Sequence, residues 1–328
     1  MKYLITGITG FVGPHLANLL IKEGHEVCGL IRCSNGRETD RLDIMEVEEF
    51  NKLKFINCDI SDRNNVEKMF KNNLFDGVFH LAAQSHPPTS FKEPELTFNS
   101  NIIGSANLIN AITATQKDTC KFMLCSTSEV YGNVGIDGRK ITENDLISPA
   151  NPYGVSKAAA DLYTQERMKN GYLNGFITRS FSHTGPRRGK NFSISSDAYR
   201  LALIKQNPVN KTLAVGNLGT TRVVLDVRDV ANAYYLLMIN DKSNGKVFNI
   251  CGDIPHKMEF FTDFLIKISG VEGVEKRIND ELYRPHDIFY QHGDTTELKS
   301  ITGWIPIIPI EQTLNDLFQY WERKITRG

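Results

Sequence analysis

The stretch from Lys2 to Gly13, KYLITGITGFVG, decides the fold. Its first five residues are mostly apolar, as in a buried parallel strand, and a helical apolar pattern follows over residues 14–23. Between them, glycines at 7, 10 and 13 allow a tight turn and a close approach of a ligand to the backbone. The helix N-terminus adds free N–H groups and a positive dipole end. A strand, a GxxGxxG turn and a helix in this order predict a dinucleotide-binding site. The turn residues predicted to contact the cofactor are Gly7, Thr9, Gly10, Phe11, Val12 and Gly13.

Cationic side chains follow the second predicted strand, residues 26–31. Arg32 comes directly after it, with Ser34 and Arg37 nearby. In dinucleotide-binding folds a carboxylate at this place binds the ribose 2′-hydroxyl of NAD, whereas cations suit the 2′-phosphate of NADP. We therefore expect NADP rather than NAD, with Arg32 as a contact. The alternative is that Arg32 stacks on adenine or lies in solvent.

Further apolar segments alternate with helical patterns along the chain. They are predicted as strands at residues 54–57, 77–81, 121–125, 175–180 and 247–251. Strands that alternate with helices indicate an α/β fold with a Rossmann-like, doubly wound parallel sheet. After the third strand, Asp59 can accept a hydrogen bond from the adenine amino group. After the fourth, the small residues Ala82 and Ala83 would let the cofactor lie against the sheet.

The segment 126–157 contains the candidate catalytic residues. Ser126, Thr127 and Glu129 follow a predicted strand, at the edge of the sheet where such folds bind ligands. Tyr153 and Lys157 are four residues apart, so a helix puts both on one face. A lysine ammonium close to a phenol favours the phenolate and lowers its pKa. The segment predicts a tyrosine base beside hydroxyls that hold a substrate oxygen. An ordinary exposed helix pair is the alternative for the YxxxK spacing.

The composition is that of an ordinary soluble globular protein, with 41% hydrophobic and 23% charged residues. Its 38 basic and 38 acidic side chains balance, which gives no reason to expect nucleic acid or membrane as a partner. The six cysteines form no CxxC or Cys/His cluster, so we expect reduced thiols and no metal site. The sequence has neither a signal-peptide pattern nor an apolar run of roughly 20 residues. We expect a cytoplasmic protein.

The chain is expected to form two domains. Residues 1–170 would bind the cofactor, with a segment near residues 225–251 returning to this domain. Residues 171–328 would mainly form a smaller, loop-rich domain that closes over the substrate. No internal repeat or low-complexity segment interrupts this division.

Basic side chains are concentrated in the predicted substrate domain. The loop 182–192 carries Arg187, Arg188 and Lys190, three cations within four positions. In a neutral protein such a cluster can bind phosphate, and Arg222 and Arg284 are further candidates for diphosphate or ribose contacts. A solvated basic turn is the alternative for the loop.

Taken together, these motifs resemble the extended short-chain dehydrogenase/reductase superfamily, through the glycine turn, Ser126, Tyr153 and Lys157. Within it the chain is similar to GDP-mannose 4,6-dehydratases. The stretches that carry this similarity are LAAQSH at 81–86, STSEVYG at 126–132 and PRRG at 186–189. A cation after the second strand also suits that NADP-using family.

Other features are more similar to the related GDP-4-keto-6-deoxymannose reductases. These are Phe11-Val12 in the first turn and the stretch from Val215 to Val230. The dehydratases typically have Asn-His, with the Asn contacting substrate, where this chain has Ser182-His183. A Glu at the place of Glu129 occurs in both groups, so it does not separate them by itself.

The resemblance implies a nucleotide-sugar 4,6-dehydratase. It would convert a GDP-hexose such as GDP-mannose, or a GDP-manno-heptose, to the 4-keto-6-deoxy product by internal hydride transfer through bound NADP. Tyr153 would take the proton of the 4-hydroxyl, with Lys157 keeping the phenol acidic. Glu129 would remove the C5 proton, and water would leave C6 with acid help from Glu129 or Thr127.

The resemblance also implies the remaining contacts. The cofactor contacts beyond the glycine turn are Arg32, Asp59, Ile60, Leu81, Ala82, Ala83, Ser85, Tyr153, Lys157, His183 and Arg188. The substrate contacts are Ser85, His86, Ser126, Thr127, Ser128, Glu129, Ser182, Arg187, Lys190, Arg222 and Arg284. A homodimer or homotetramer is implied, in which the loop of Arg187 and Arg188 reaches the cofactor of a neighbouring subunit.

Two other functions stay open. A 4-reductase, C4-dehydrogenase or epimerase of the same superfamily would act on the same class of nucleotide sugar. Reductases and dehydrogenases consume cofactor in each turnover, whereas the dehydratase consumes none. A regulatory module that binds cofactor without catalysis is the second alternative, although the set of Thr127, Glu129, Tyr153 and Lys157 is complete.

Overall fold

The computed structural model describes residues 1–32, 42–283 and 287–327. The strands are β1 (Lys2–Thr6), β2 (Glu26–Ile31), β3 (Lys54–Asn57), β4 (Gly77–His80), β5 (Lys121–Thr127), β6 (Gly175–Ser180), β7 (His183–Thr184), β8 (Thr212–Val215), β9 (Thr221–Val223), β10 (Leu225–Asp226), β11 (Val247–Ile250), β12 (Pro255–Lys257), β13 (Glu275–Ile278) and β14 (Tyr290–Gln291). The α-helices are α1 (Val12–Lys22), α2 (Val47–Phe50), α3 (Arg63–Asn72), α4 (Pro87–Lys92), α5 (Pro94–Phe98), α6 (Gly104–Thr115), α7 (Pro152–Lys169), α8 (Ser193–Gln206), α9 (Val227–Met238), α10 (Met258–Ser269), α11 (Thr296–Thr302) and α12 (Ile310–Arg327). Within these ranges no helix has both the length and the apolar character required to cross a bilayer.

Seven strands of the described residues form one parallel sheet, in the order β11-β6-β5-β4-β1-β2-β3. From β1 the chain builds outward through β2 and β3 on one side, and through β4, β5 and β6 on the other. The strand order therefore reverses between β1 and β4, and the carboxyl ends diverge there to leave a crevice. The predicted doubly wound α/β sheet is confirmed.

Helices cover both faces of this sheet. On one face, α1 and α9 bury side chains such as Leu16, Leu20 and Leu237. On the other face, α3 and α6 bury Phe70 and Leu108. Fully burying a side chain of this size contributes roughly 1.5–3 kcal/mol. The rigid sheet that results fixes the loops at its carboxyl edge, which is where side chains with chemical function are expected.

A second core lies beyond the carboxyl edge. There α8, α10 and α12 pack through Leu201, Phe261, Leu265, Leu314 and Phe318. The two-stranded β8–β13 sheet and the three-stranded β12-β9-β14 sheet accompany these helices. The main sheet takes β6 and β11 from beyond residue 170, and a division of the chain into domains at that residue stays a prediction.

Apolar residues recur at helical spacing over residues 95–115, but the helix that they form is interrupted. α5 passes into a π-helical turn at Asn99–Ile103 before α6 begins. Asn101 is buried in this turn, where its side chain accepts from the Gln84 backbone N–H at 2.8 Å and donates to Ser156 Oγ at 2.9 Å. These bonds hold the turn against α7 and the end of β4. Apolar spacing alone does not reveal such a turn, although π-turns are frequent at functional sites.

Candidate active site

A cleft of about 1100 Å³ lies at the carboxyl edge of the main sheet. Its walls are the glycine turn after β1, the segments after β3, β4 and β5, the start of α7 and one face of α8. Sites for single ligands enclose roughly 300–1,000 Å³. The cleft therefore has room for a cofactor and a substrate side by side.

The turn after β1 is shaped for a close approach of a ligand to the backbone. Gly7 has a φ of 73°, and a Cβ there would lie 2.8 Å from the Ala82 nitrogen. The Gly10 N–H donates to the Gly7 carbonyl at 2.9 Å. No side chain of the described residues caps the N-terminus of α1, so its first N–H groups remain for a ligand. This arrangement fits the pyrophosphate of a dinucleotide.

Gly13 lies close to the backbone of the residues before it. It is absent from the described residues that line the cleft. A Cβ at Gly13 would lie 2.4 Å from the Ile8 carbonyl oxygen and 2.6 Å from the Ile8 Cα. The lack of a side chain lets the first turn of α1 pack onto the preceding backbone, and the contact of Gly13 with the cofactor stays a prediction.

The next part of the cleft suits the adenosine half of a dinucleotide. Arg32 and Asp59 follow the paired strands β2 and β3, and both line the cleft together with Ile60. The Asp59 Oδ1 accepts from the N–H and the hydroxyl of Ser61 at 2.9 and 2.8 Å, which directs that oxygen into its own turn. The predicted neighbours Ser34 and Arg37 lie outside the described residues.

Two hydroxyl side chains from the end of β5 face the cleft. Ser126 and Thr127 are the last residues of this strand, rather than the first residues after it as predicted. Ser126 is only 3% exposed, and its Oγ has no hydrogen-bond partner among the described residues. Burial of an unpaired hydroxyl is costly, so a ligand oxygen or N–H at this point would satisfy it.

Asn151 holds the carboxylate of Glu129. Glu129 lies in the 3₁₀ turn Ser128–Tyr131, and its Oε2 accepts from Asn151 Nδ2 at 2.7 Å. Asn151 also caps α7, because its Oδ1 accepts from the Gly154 N–H at 2.8 Å. A Cβ on Gly154 would lie 2.9 Å from the Glu129 carbonyl oxygen. One buried side chain thus fixes the carboxylate against the helix that carries Tyr153.

Tyr153 and Lys157 are buried on the same face of α7, and both line the cleft. Burial raises the pKa of Tyr153, while a hydrogen bond with Thr127 and the charge of Arg188 lower it. Burial lowers the pKa of Lys157. The net shift of the Tyr153 pKa is opposite to the one predicted from the YxxxK spacing, because desolvation of the phenolate outweighs the nearby positive charge.

Arg188 is held over the cleft by aromatic rings. Its guanidinium carbon lies 4.8 Å from the centre of the Phe11 ring and 3.5 Å from that of Phe192. Phe11 in turn stacks on His183 with ring centres 5.7 Å apart. Burial lowers the pKa of Arg188 to about 10, so the side chain remains a cation at neutral pH beside Tyr153.

Arg187 points away from the cleft, although it was predicted to bind substrate. Its guanidinium donates to the carbonyl oxygens of Thr9 and Gly10 and to Asp43. Its φ of 75° is a conformation that few non-glycine residues adopt. Arg187 is not among the described residues that line the cleft. It contacts the glycine turn, and a substrate contact of Arg187 stays a prediction.

The substrate half of the cleft contains further polar groups. Arg222 donates to the carbonyl oxygens of Thr221 and Ile288 and lies 3.6 Å from Asp287. The Lys190 ammonium is 5.1 Å from the centre of the Tyr199 ring. Arg222 and Lys190 line the same cleft as Ser126 and Glu129, so they are available to a phosphorylated substrate.

Most of the predicted residues are brought together in this one cleft. Those that line it are Gly7, Thr9, Gly10, Phe11, Val12, Arg32, Asp59, Ile60, Leu81, Ala82, Ala83, Ser85, His86, Ser126, Thr127, Ser128, Glu129, Tyr153, Lys157, Ser182, His183, Arg188, Lys190 and Arg222. Gly13 and Arg187 lie elsewhere, and Arg284 lies outside the described residues.

Sequence reasoning missed two residues of this region. Asn151 had a usable signal, since an Asn directly before a Pro at the start of a helical pattern is typical of an N-cap. No pattern in the sequence indicated the hydrogen bond from Asn151 to Glu129. Asp197 gave no signal either, because its burial depends on contacts between α8 and α10 that are distant in the sequence.

Comparison with known proteins agrees with this geometry. The family model for GDP-mannose 4,6 dehydratase matches residues 4–317. GDP-6-deoxy-D-mannose reductase from Pseudomonas aeruginosa is 30% identical over 325 residues, covering 99% of this chain and 98% of that protein. GDP-mannose 4,6 dehydratase 2 from Arabidopsis thaliana is 30% identical over 320 residues, covering 94% of this chain and 83% of that protein.

A solved structure of RMD from Pseudomonas aeruginosa, complexed with NADPH, has a TM-score of 0.80 and 28% identity to this chain. The match covers 98% of this chain and 99% of that one. The shared sheet and glycine turn support binding of a nicotinamide cofactor. The chain belongs to the GDP-mannose 4,6-dehydratase family of the short-chain dehydrogenase/reductase superfamily.

Proposed function

We propose that the protein is an NADP-dependent 4,6-dehydratase of a GDP-sugar. GDP-mannose is the first candidate substrate, and a GDP-manno-heptose is the second. The observation that carries this proposal is the Glu129 carboxylate, held by Asn151 in the same cleft as Tyr153 and Lys157. Dehydration requires a base for the C5 proton in addition to the group that takes the hydroxyl proton, and this cleft provides both.

The residues of the cleft divide the proton transfers between them. Tyr153 takes the proton of the 4-hydroxyl, and the hydroxyls of Ser126 and Thr127 bind the same oxygen. The 4-ketone that forms acidifies the C5 proton, which Glu129 removes. The C6 hydroxyl leaves as water with a proton from Glu129 or Thr127, and C5 is reprotonated in the product. When bound, the nicotinamide supplies reversible hydride acceptance, taking hydrogen from C4 and returning it to C6.

The charges near Tyr153 support its part in this scheme. Arg188 lowers the pKa of the phenol, and its own stacking between Phe11 and Phe192 keeps it close. Lys157 lies one helical turn from Tyr153 and lines the same cleft. Arg188 opposes the effect of burial on the phenol, so its charge favours the phenolate at the moment of proton transfer.

NADP is the proposed form of the cofactor. Arg32 lies directly after β2 and lines the cleft beside Asp59 and Ile60, where a cation suits a 2′-phosphate. The NADPH in the RMD structure from Pseudomonas aeruginosa supports the same choice. Assembly into a homodimer or homotetramer stays a prediction.

Reduction of a GDP-4-keto-6-deoxy sugar is a second candidate. It is favoured by the similarity to the Pseudomonas aeruginosa reductase, 98% of which this chain covers, compared with 83% of the Arabidopsis thaliana dehydratase. A reductase needs Tyr153 as a proton donor to O4 but no base at C5. It also consumes one NADPH for each turnover.

Isotope transfer distinguishes the two reactions. The purified protein is incubated with GDP-mannose deuterated at C4, without added reductant, and the product is analysed by mass spectrometry and NMR. We expect loss of one water, retention of the deuterium at C6 and uptake of a solvent proton at C5. The same experiment with GDP-manno-heptose shows which of the two sugars loses water faster. Absence of water loss from both, with NADPH consumption on a 4-keto-6-deoxy substrate, would replace the dehydratase by the reductase.

A further inference from the structure

Asp197 is a buried carboxyl group in the cleft that the proposed chemistry does not use. It lies in the second turn of α8, lines the cleft and is only 5% exposed. Burial raises its pKa to about 7. Acidic side chains are rarely buried to this extent without partners, so the contacts of this carboxyl group need an explanation.

Only one of its oxygens is bonded within the described residues. Thr262 of α10 donates its hydroxyl to Asp197 Oδ2 at 2.8 Å, and Oδ1 has no hydrogen-bond partner in the described part of the chain. Arg200, one turn further along α8, lowers the pKa of Asp197 through its charge, but its guanidinium donates to the Ala214 carbonyl. Asp197 lines the cleft, so a donor on a bound ligand can reach the oxygen that the protein leaves without a hydrogen bond, and a hydrogen bond to a charged group is among the stronger ones.

The course of α8 indicates which part of a ligand meets Asp197. Before the helix begins, Arg188 lies close enough to Tyr153 to lower its pKa. At its second turn, Arg200 reaches Ala214 of β8. α8 therefore runs from the reacting groups toward the far wall at β8. A nucleotide sugar whose sugar lies at Tyr153 would place its diphosphate next and its base near Asp197.

We propose that Asp197 selects guanine in the nucleotide half of the substrate, by accepting hydrogen bonds from its N1–H and 2-amino groups. This inference rests on the proposed function as a GDP-sugar enzyme. Among the common bases only guanine presents two adjacent donors on its pairing edge. Uracil and thymine flank their single N–H with carbonyl oxygens, which a carboxylate repels, and adenine and cytosine present a ring nitrogen acceptor beside their amino group.

Binding of free nucleotides tests this role apart from catalysis. Dissociation constants of GDP, IDP and UDP are measured by calorimetry for the full chain and for Asp197→Asn. IDP lacks only the 2-amino group of GDP. A hydrogen bond to a charged group contributes about 1.5–3 kcal/mol, so we expect the protein to bind GDP roughly 10–100-fold more tightly than IDP. Asp197→Asn should reduce this ratio to less than about threefold and should not weaken UDP binding, because the charge that repels the uracil carbonyl oxygens is removed.

A matched variant controls for the loss of charge. Asp263 lies on the exposed side of α10 and pairs with Lys276, so Asp263→Asn should keep the preference for GDP. Binding of NADPH by Asp197→Asn verifies that the variant is folded, and Asp197→Glu supplies a second variant with the charge retained. Equal affinities for GDP and IDP, or an unchanged ratio in Asp197→Asn, would overturn the inference and leave the dehydratase proposal standing. Tighter binding of UDP than of GDP by the unmodified protein would overturn both.

Discussion

Asn151 donates to Glu129 at 2.7 Å and at the same time caps the helix of Tyr153 and Lys157 through its other side-chain atom. The two bonds use both ends of one amide that is 6% exposed. The distance between the carboxylate and the phenol is therefore set by a rigid connection rather than by two independent loops. Positioning of this kind is important for catalysis, because a displacement of about 1 Å can cost roughly 10²-fold in rate.

Replacing Asn151 by Ser should separate its two functions. A Ser hydroxyl still accepts from the first turn of α7, so the contribution of the helix cap to stability should change by less than about 0.5 kcal/mol, whereas Asn151→Ala should lose about 1 kcal/mol of it. Asn151→Ser removes the donor to Glu129, which is worth about 1.5–3 kcal/mol. We expect kcat to fall roughly 10–100-fold with KM nearly unchanged. Full activity in the Ser variant would contradict a positioning role.

Glu129→Gln should block the chemistry at C5 without disturbing the site. The Gln carbonyl oxygen can accept the same bond from Asn151, so the geometry is kept. Removal of a general base typically costs 10²–10⁴-fold in rate. Water loss and exchange of the C5 proton with solvent deuterium should fall by about this factor. Oxidation at C4, followed by nicotinamide absorbance after mixing with GDP-mannose, should persist. Unchanged formation of the 4-keto-6-deoxy sugar would remove Glu129 from the mechanism.

Arg32→Glu should change the preference for the cofactor. A carboxylate after β2 repels a 2′-phosphate and can accept from a ribose 2′-hydroxyl. We expect the dissociation constant of NADP to rise about 10–100-fold, because its 2′-phosphate loses a charge-assisted bond. The dissociation constant of NAD should fall, because its ribose 2′-hydroxyl gains a carboxylate acceptor. Fluorescence titration with both reduced cofactors measures the ratio. Arg63→Glu, on the exposed surface of α3, is the control and should leave the ratio unchanged.

Local sequence patterns predicted the framework well. The bounds of β1, β2, β3 and β6 agree with those expected from apolar runs, since buried parallel strands need such runs whatever surrounds them. Asp226 caps α9 by accepting from the Arg228 N–H at 2.8 Å, which is the place for an Asp directly before a helical pattern. These features depend on residues close together in the chain, which is why a single sequence reveals them.

Features that depend on distant contacts were not predictable. Arg187 and Arg188 are adjacent and chemically identical, yet one contacts the glycine turn and the other lies between Phe11 and Phe192. Their directions depend on the backbone of the loop and on the Phe11 ring, which comes from the glycine turn before α1. The predicted direction of the shift in the pKa of Tyr153 was wrong for a similar reason. Burial raises this pKa, and the depth of burial depends on the whole cleft.

A buried ion pair fixes α7 to the sheet and should be sensitive to loss of either member. Asp161 accepts from Arg179 of β6 through both of its oxygens, at 2.9 and 3.0 Å, and their side chains are 0% and 3% exposed. Removing one partner leaves a buried charge uncompensated, so Asp161→Ala should cost about 3–5 kcal/mol. Replacing both partners together, by Leu and Met, should cost much less. Urea unfolding measures both effects, and equal losses in the single and double variants would contradict the uncompensated charge as the cause.

The raised pKa of Asp197 should make stability depend on pH in a defined direction. Burial raises this pKa from its ordinary value of 3.8 to about 7, with Arg200 as the charged neighbour that opposes the shift. An acid with a higher pKa in the folded state binds its proton more tightly there. Its contribution to stability is therefore largest below the unfolded-state pKa and is lost as the pH rises toward 7. Asp197→Asn has no proton to lose and can still accept from Thr262.

We therefore expect Asp197→Asn to gain stability relative to the unmodified protein as the pH rises from 5 to 8, by on the order of 2 kcal/mol. Denaturant unfolding at the two pH values measures the difference. Asp263→Asn, at an exposed carboxylate of α10, should show no such gain. A difference that stays constant between pH 5 and 8 would mean that Asp197 is already ionised in the folded protein, because only a proton held above the unfolded-state pKa can produce the change. A constant difference would also imply that the cleft supplies a compensating charge, whereas the expected gain would mean that the folded protein without ligand holds the proton on this carboxyl group up to about pH 7.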